Sequence, residues 1–184
     1  MNDTLFLGER VRLVAPNPET DAEVFVRWSR DSEFMRLFDS DPARMWSLKG
    51  TKEMLERAPH DNSFHFVIRT LADDKLIGMT GLHGISPSHR DASVSIGLGE
   101  RDYWSKGYGG DAMRVMLHFA FTELNLHRVS LWTFEYNKRA IRSYEKVGFV
   151  HEGHIRELLN RDGRRWDGIQ MGILRTEWEQ KRNL

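Results

Sequence analysis

The spacing of apolar positions changes period several times along the chain, and each change marks an element. Val11 and Leu13 alternate with Arg10 and Arg12, which predicts a strand within Leu5–Val14 that ends at Pro16. Asn17-Pro18-Glu19-Thr20-Asp21 reads as a helix start, with acidic residues where a helix N-terminus favours them. Val24, Phe25 and Trp28 follow at helical spacing. A second start at Asp31-Ser32-Glu33 leads into Phe34, Met35 and Phe38, and a third helix is expected from Ser47 to Ala58, stopped by Pro59. The period then falls to two. Phe64–Ile68 and Lys75–Leu82 read as strands around a turn at Asp73-Asp74. Beyond a turn at Pro87–Asp91, Val94, Ile96 and Leu98 alternate with Ser93, Ser95 and Gly97. Ala112, Val115, Met116, Phe119, Ala120 and Leu124 restore the helical period as one stripe. Arg128–Glu135 alternates as a strand, Asn137 caps a helix that stops at Gly148, and Phe149–Arg156 and Trp166–Leu174 close as strands joined around Asp162-Gly163. This order predicts an α/β (α+β) architecture, a mixed sheet with helices packed on it, in one domain over residues 1–184.

Composition narrows the function more than the fold. Apolar residues make up 40% of the 184 positions, enough for a sizeable core, and Lys plus Arg equals Asp plus Glu at 27 each. Zero net charge argues against a nucleic-acid partner, which usually calls for a basic excess, and gives no reason to expect a membrane surface. The chain has no cysteine, so disulfides, thiolate metal sites and thiol nucleophiles are excluded, which fits a reducing compartment. The first ten residues lack the order of a signal peptide and no apolar run is long enough to span a bilayer. The expected location is the cytoplasm, as a monomer or homodimer.

Two segments carry candidate chemistry. Trp104-Ser105-Lys106-Gly107-Tyr108-Gly109-Gly110 lies between a strand and the amphipathic helix, where free first-turn amides and the helix dipole make an anion site. Glycines there let the backbone approach a phosphate closely. A nucleoside-triphosphate loop is excluded because no Gly-Lys-Ser/Thr string occurs, and a dinucleotide loop lacks its downstream acid. The second segment runs from Asn137 to Phe149 and places Ala140, Tyr144 and Val147 on one helical face.

Together these segments resemble the GNAT superfamily of acetyltransferases, and within it the RimJ/RimL-like branch. The superfamily's Q/R-x-x-G-x-G/A loop matches Trp104–Gly109, and its N-x-x-A-x-x-x-Y-x-K-x-G-F segment matches Asn137, Ala140, Tyr144, Lys146, Gly148 and Phe149. The resemblance extends over Leu5–Trp178. It implies a GNAT fold: a mostly antiparallel sheet of about seven strands, helices on both faces, splayed between the two central strands. It also implies acetyl-coenzyme A as cosubstrate, no metal, and an amine acceptor, either a peptide N-terminus or a small molecule. Backbone amides of Ser105–Gly110 would hold the pyrophosphate, and Ile96 and Leu98 would pair with the pantetheine arm. Asn137 would bond that arm from the other side, Tyr144 would assist the departing thiolate, and amides near Ile96 and Gly97 would receive the oxyanion.

Three departures from the family pattern matter. Trp104 stands in the Gln/Arg slot, Ala140 stands where some relatives carry serine, and Ser95 stands where several relatives carry a glutamate base. His83, on the preceding strand, is a candidate substitute, set against an ordinary hydrogen-bonded strand histidine. At pH 7, freeing a lysine amine of its proton costs about 4.6 kcal/mol and an α-amine only about 1 kcal/mol. A weak base therefore fits an α-amine such as a protein N-terminus better than a lysine or polyamine. The competing reading is a non-catalytic acyl-coenzyme A-binding module, favoured by Ser95 and opposed by Tyr144.

Overall fold

The structure of the chain, a computed structural model, describes residues 5–57 and 62–182. Seven strands form one sheet: β1 (Val11–Val14), β2 (Phe64–Thr70), β3 (Leu76–Ser86), β4 (Asp91–Leu98), β5 (Arg128–Phe134), β6 (Val150–Arg161) and β7 (Arg164–Leu174). Their order is β1-β2-β3-β4-β5-β7-β6, and only β4 and β5 run parallel. Among the described residues six α-helices accompany them: α1 (Pro18–Ser29), α2 (Ser32–Phe38), α3 (Leu48–Glu56), α4 (Tyr108–His118), α5 (Lys138–Val147) and α6 (Arg175–Arg182).

The ends of these elements follow from local side chains. Asn17 Oδ1 accepts from the Glu19 amide at 3.0 Å, Asp31 Oδ1 from Glu33 and Phe34 at 3.1 Å, and Asn137 Oδ1 from Ala140 at 3.2 Å. Each satisfies first-turn donors that the helix itself cannot. Asp162 and Gly163 both take positive φ, 54° and 71°, the pair of left-handed residues that a tight β6–β7 hairpin turn calls for.

Adjacent residues on one strand face opposite layers. Val67 and Leu76 pack with Phe25, Trp28, Phe34 and Met35 of α1 and α2. Their neighbours Ile68 and Ile77 join Met116, Phe119, Ile141, Leu131 and Met171 beneath α4 and α5. Helices thus cover both faces, as expected.

The elements differ from the reading of the sequence in several places, and β3 and β6 run on past their expected ends to Ser86 and Arg161. β1 begins only at Val11, because the amides of Glu9, Arg10 and Val11 turn to the Asp111 carboxylate. α4 begins at Tyr108, so Gly109 and Gly110 lie in its first turn and not in a loop before it. The apolar stripe from Ala112 keeps its buried face, but Phe119–Glu123 widens into a π turn. α6 was not foreseen. The expected stop of α3 at Ala58-Pro59 lies outside the described residues.

Candidate active site

The site originates in a failure of two strands to pair. β4 and β5 are in register only over Asp91–Ser93 with Arg128–Ser130, and beyond that point they part. On its other side β4 pairs with β3 continuously from Ser93 to Leu98. Gly99 N donates to Ile77 O at 3.0 Å. Carried along the ladder, that alternation commits the amides of Ser95 and Gly97 to β3 and turns the N–H and C=O groups of Val94 and Ile96, and the N–H of Leu98, toward the gap, the Leu98 carbonyl being taken by Trp104 Nε1. The expectation that Gly97 N receives an oxyanion is corrected accordingly: that donor belongs to β3. Gly97 serves packing, since a Cβ there would come within 2.6 Å of the Phe38 ring. The gap opens into a cleft of about 790 Å³.

At the C-terminal end of β4 the chain makes a strained turn. Ser105 (φ 59°) and Gly107 (φ 90°) are both left-handed, and Asp111 N makes the first helical bond of α4 to Gly107 O at 3.0 Å. The amides of Tyr108, Gly109 and Gly110 precede that bond and have no acceptor within the helix, which is the arrangement an oxyanion or phosphate needs. Cationic side chains of Arg10, Arg114, Arg142 and Lys146 line the same end of the cleft. Trp104 reaches no phosphate position by a polar atom. Its Nε1 donates to Leu98 O at 2.7 Å, and its ring lies 3.7 Å beneath the Arg139 guanidinium. A diphosphate with an extended amide-bearing arm fits this donor set: amides and cations at one end, and an unpaired strand edge leading away from them.

α5 supplies the opposite wall through Asn137, Ala140, Tyr144 and Lys146. Asn137 is buried, caps α5 with Oδ1 and directs Nδ2 to Leu37 O at 3.5 Å. The Tyr144 ring packs edge-on against Phe149, and its hydroxyl forms no hydrogen bond among the described residues. Burial pushes the Tyr144 phenol up to about 12, the nearby Arg139 opposing only in part. It stays protonated throughout the working range.

The Ser95 hydroxyl lines the cleft and meets His83 Nε2 at 2.7 Å. His83 itself lies behind Ser95 and touches His65 edge-on, ring centroids 5.0 Å apart. Gly81 lies between them; a Cβ on it would come 2.8 Å from the Phe64 carbonyl and 3.2 Å from both His65 Nδ1 and His83 Nε2. Burial, reinforced by charge on His65, lowers the His83 imidazole below its ordinary range, so it is neutral near pH 7. Glu100, two residues beyond β4, is engaged elsewhere. It accepts from Trp28 Nε1 at 2.8 Å and pairs with Arg27 and Lys75.

Of the residues expected at the site, the structure gathers Ser95–Leu98, Trp104, Ser105, Gly107, Gly109, Gly110, Asn137, Ala140, Tyr144 and Lys146 around one cleft; His83, Lys106 and Tyr108 stand just outside its lining. Reading the sequence missed Arg10, Arg114, Leu37, Asp39, Thr133 and Phe134, which complete the walls. Phe34 and Phe38 line the cleft, whereas Trp28 and Met35 are core.

A splayed β4–β5 pair, a glycine turn opening a helix and a tyrosine facing them from the next helix together define an acetyl-coenzyme A-dependent N-acetyltransferase. The chain matches the acetyltransferase (GNAT) domain over residues 10–150 and belongs to that family. It is 28% identical over 176 residues to the SPbeta prophage-derived uncharacterized N-acetyltransferase YokL of Bacillus subtilis (strain 168), covering 96% of each chain. It is 32% identical over 127 residues to the spermidine N(1)-acetyltransferase of Vibrio cholerae serotype O1, covering 69% of this chain and 73% of that one. The crystal structure of spermidine N-acetyltransferase from Vibrio cholerae in complex with CoA and spermine superposes with a TM-score of 0.81 at 27% identity, over 92% of this chain and 98% of that one.

Proposed function

We propose that the whole chain, residues 1–184, acts as one acetyltransferase domain of the RimJ/RimL-like branch. It transfers an acetyl group from acetyl-coenzyme A to an α-amine, by direct attack of the amine on the thioester in a ternary complex. The observation that carries this reading is the Ser95–His83 contact of 2.7 Å at the cleft wall. The amine nitrogen attacks the carbonyl carbon, the carbon–sulfur bond breaks, and the amine proton passes to Ser95 Oγ as the serine proton moves to His83 Nε2. Tyr144 then donates a hydrogen bond to the sulfur. A phenol near 12 facing a thiol near 8.5 makes complete proton transfer uphill by roughly 5 kcal/mol, so hydrogen bonding is the role left to it. The amides of Tyr108, Gly109 and Gly110 hold phosphate, and Ile96 and Leu98 pair with the arm.

A second reading, a small polyamine as acceptor, is favoured by likeness to the Vibrio cholerae spermidine enzyme. Against it stands charge. Among the described residues, Glu9 and Asp39 are the carboxylates of the cleft, Glu9 at the cationic end and Asp39 beside Phe34, Leu37 and Phe38. A polyamine brings several positive charges, and an imidazole of lowered pKa is poorly matched to an amine near 10. Mass analysis after incubation with acetyl-coenzyme A and three acceptors decides between them: a free-α-amine peptide, the same peptide blocked at its N-terminus but containing lysine, and spermidine. Acetylation of the free peptide is expected. Acetylation confined to spermidine or to the blocked peptide overturns the reading.

A further inference from the structure

Asp111 is the most deeply buried carboxylate next to the cleft, 2% exposed, yet it has no part in the chemistry proposed above. A charge so far from water is tolerated only if its oxygens are filled by donors. Here they are. Oδ2 accepts from the amides of Arg10 at 2.8 Å and Val11 at 3.1 Å, Oδ1 accepts from the amide of Glu9 at 3.2 Å, and Arg114 closes the set at 3.2 Å. Three consecutive amides from one end of the chain therefore converge on a residue in the first turn of α4, a hundred positions away.

The effect of that convergence is to lay residues 8–11 across the turn that opens α4. The Arg10 guanidinium reaches over the Tyr108 ring, 5.8 Å from its centroid, and its Nε lies 3.9 Å from where a Gly107 Cβ would stand. Arg114 approaches the other side of the turn, 3.8 Å from the corresponding point on Gly110. Among the described residues, the cleft-lining cations Arg10, Arg139, Arg142 and Lys146 enter no ion pair, whereas Arg114 pairs with Asp111. Glu9 is the one carboxylate lining this end beside those cations. An exposed, unpaired guanidinium held beside open helix amides is a second phosphate donor, and guanidinium forms short charge-assisted bonds to phosphate.

We propose that Asp111 is a positioning residue. By holding the Glu9–Val11 amides it fixes Arg10 beside Gly107, where Arg10 binds a phosphate of the coenzyme. This rests on the acetyl-coenzyme A reading above and adds to it a residue outside both family segments. The position of Arg10 along the chain says nothing of the role; the three amide bonds to Asp111 do.

The test measures Kd for coenzyme A and for its 3′-dephospho form by calorimetry, with KM and kcat alongside. Arg10→Ala is expected to raise the coenzyme A Kd and the acetyl-coenzyme A KM about tenfold, with kcat, acceptor KM and melting temperature near wild type. A matching loss with the dephospho form assigns the contact to the diphosphate, and a loss confined to the full coenzyme assigns it to the 3′-phosphate. Asp111→Asn is expected to reproduce the Kd change, and the double variant to add little to it, as for two residues acting through one contact. If Asp111→Asn does not fold, Gly8→Ala serves, since its methyl would lie 2.5 Å from Asp111 Oδ2 and displace the segment. An unchanged Kd in Arg10→Ala overturns the proposal, and losses that add in full in the double variant overturn the part played by Asp111. Wild-type protein that binds no coenzyme A would instead defeat the underlying assignment.

Discussion

Tyr144 and His83 differ in what burial does to them, and the difference underlies the roles proposed for them. Burial holds the Tyr144 proton in place and strips the His83 proton off. Replacing Tyr144 with phenylalanine is expected to lower kcat by about 10- to 100-fold, the scale of one hydrogen bond to a developing anion, with KM for acetyl-coenzyme A little changed in steady-state assays. For His83→Ala the expected loss in kcat/KM for the amine is about 100-fold, the lower end of general-base effects. The pH profile carries a sharper signature. With the proposed α-amine acceptor, activity should fall first as that amine protonates near 7.8, then again somewhere below about 6.5 as His83 protonates. The second break should vanish in His83→Ala; its survival there would remove His83 from the reaction.

Elements explain which parts of the site could be read from the chain. Asn137 announces itself because capping is local: the side chain bonds an amide three residues away, and Gly148 ends the same helix with φ 126°. The stripe from Ala112 to Ala120 is legible because its period is its structure, and the seven mostly antiparallel strands with a splayed central pair were implied by the family likeness of two short segments. What escaped notice depends on residues far apart in sequence. No spacing rule links Arg10 to Asp111, His65 to His83 across Gly81, or Leu37 to Asn137. α6 escaped because its polar residues carry no stripe; it is held by Trp178 stacking near Phe121 and His118. Capping also yields a prediction. Asn137→Ala should cost about 1 kcal/mol, lowering the melting temperature by about 2–4 °C. A loss of activity with no thermal shift would mean that the side chain serves the ligand and not the helix.

The molecule as a whole is a sheet held closed at its middle by three residue pairs. Anything that binds only the folded gap should tighten it. At a hundredfold excess over Kd, coenzyme A should add about 2.7 kcal/mol and raise the melting temperature by about 5–10 °C in a scanning experiment. Acidity should act the other way. The unfolded chain takes up protons on His83 and His118 near pH 6.5, whereas the folded chain, with both lowered chiefly by burial, takes them up only at lower pH. Stability from these groups is therefore full above about pH 6.5 and declines as the pH falls through the two folded values. Melting curves from pH 8 to pH 5 would show the slope, and His118→Gln should flatten it.

The unpaired margin of β4 has one more implication. A strand presents its polar groups at a fixed pitch, repeating every second residue or about 6.7 Å, so Ile96 and Leu98 behave as graduations on a ruler. A donor molecule whose two amides are spaced one methylene wider would miss one graduation whatever acyl group it carried. Discrimination by this enzyme should accordingly be stricter toward the length of the carrier than toward the size of the cargo.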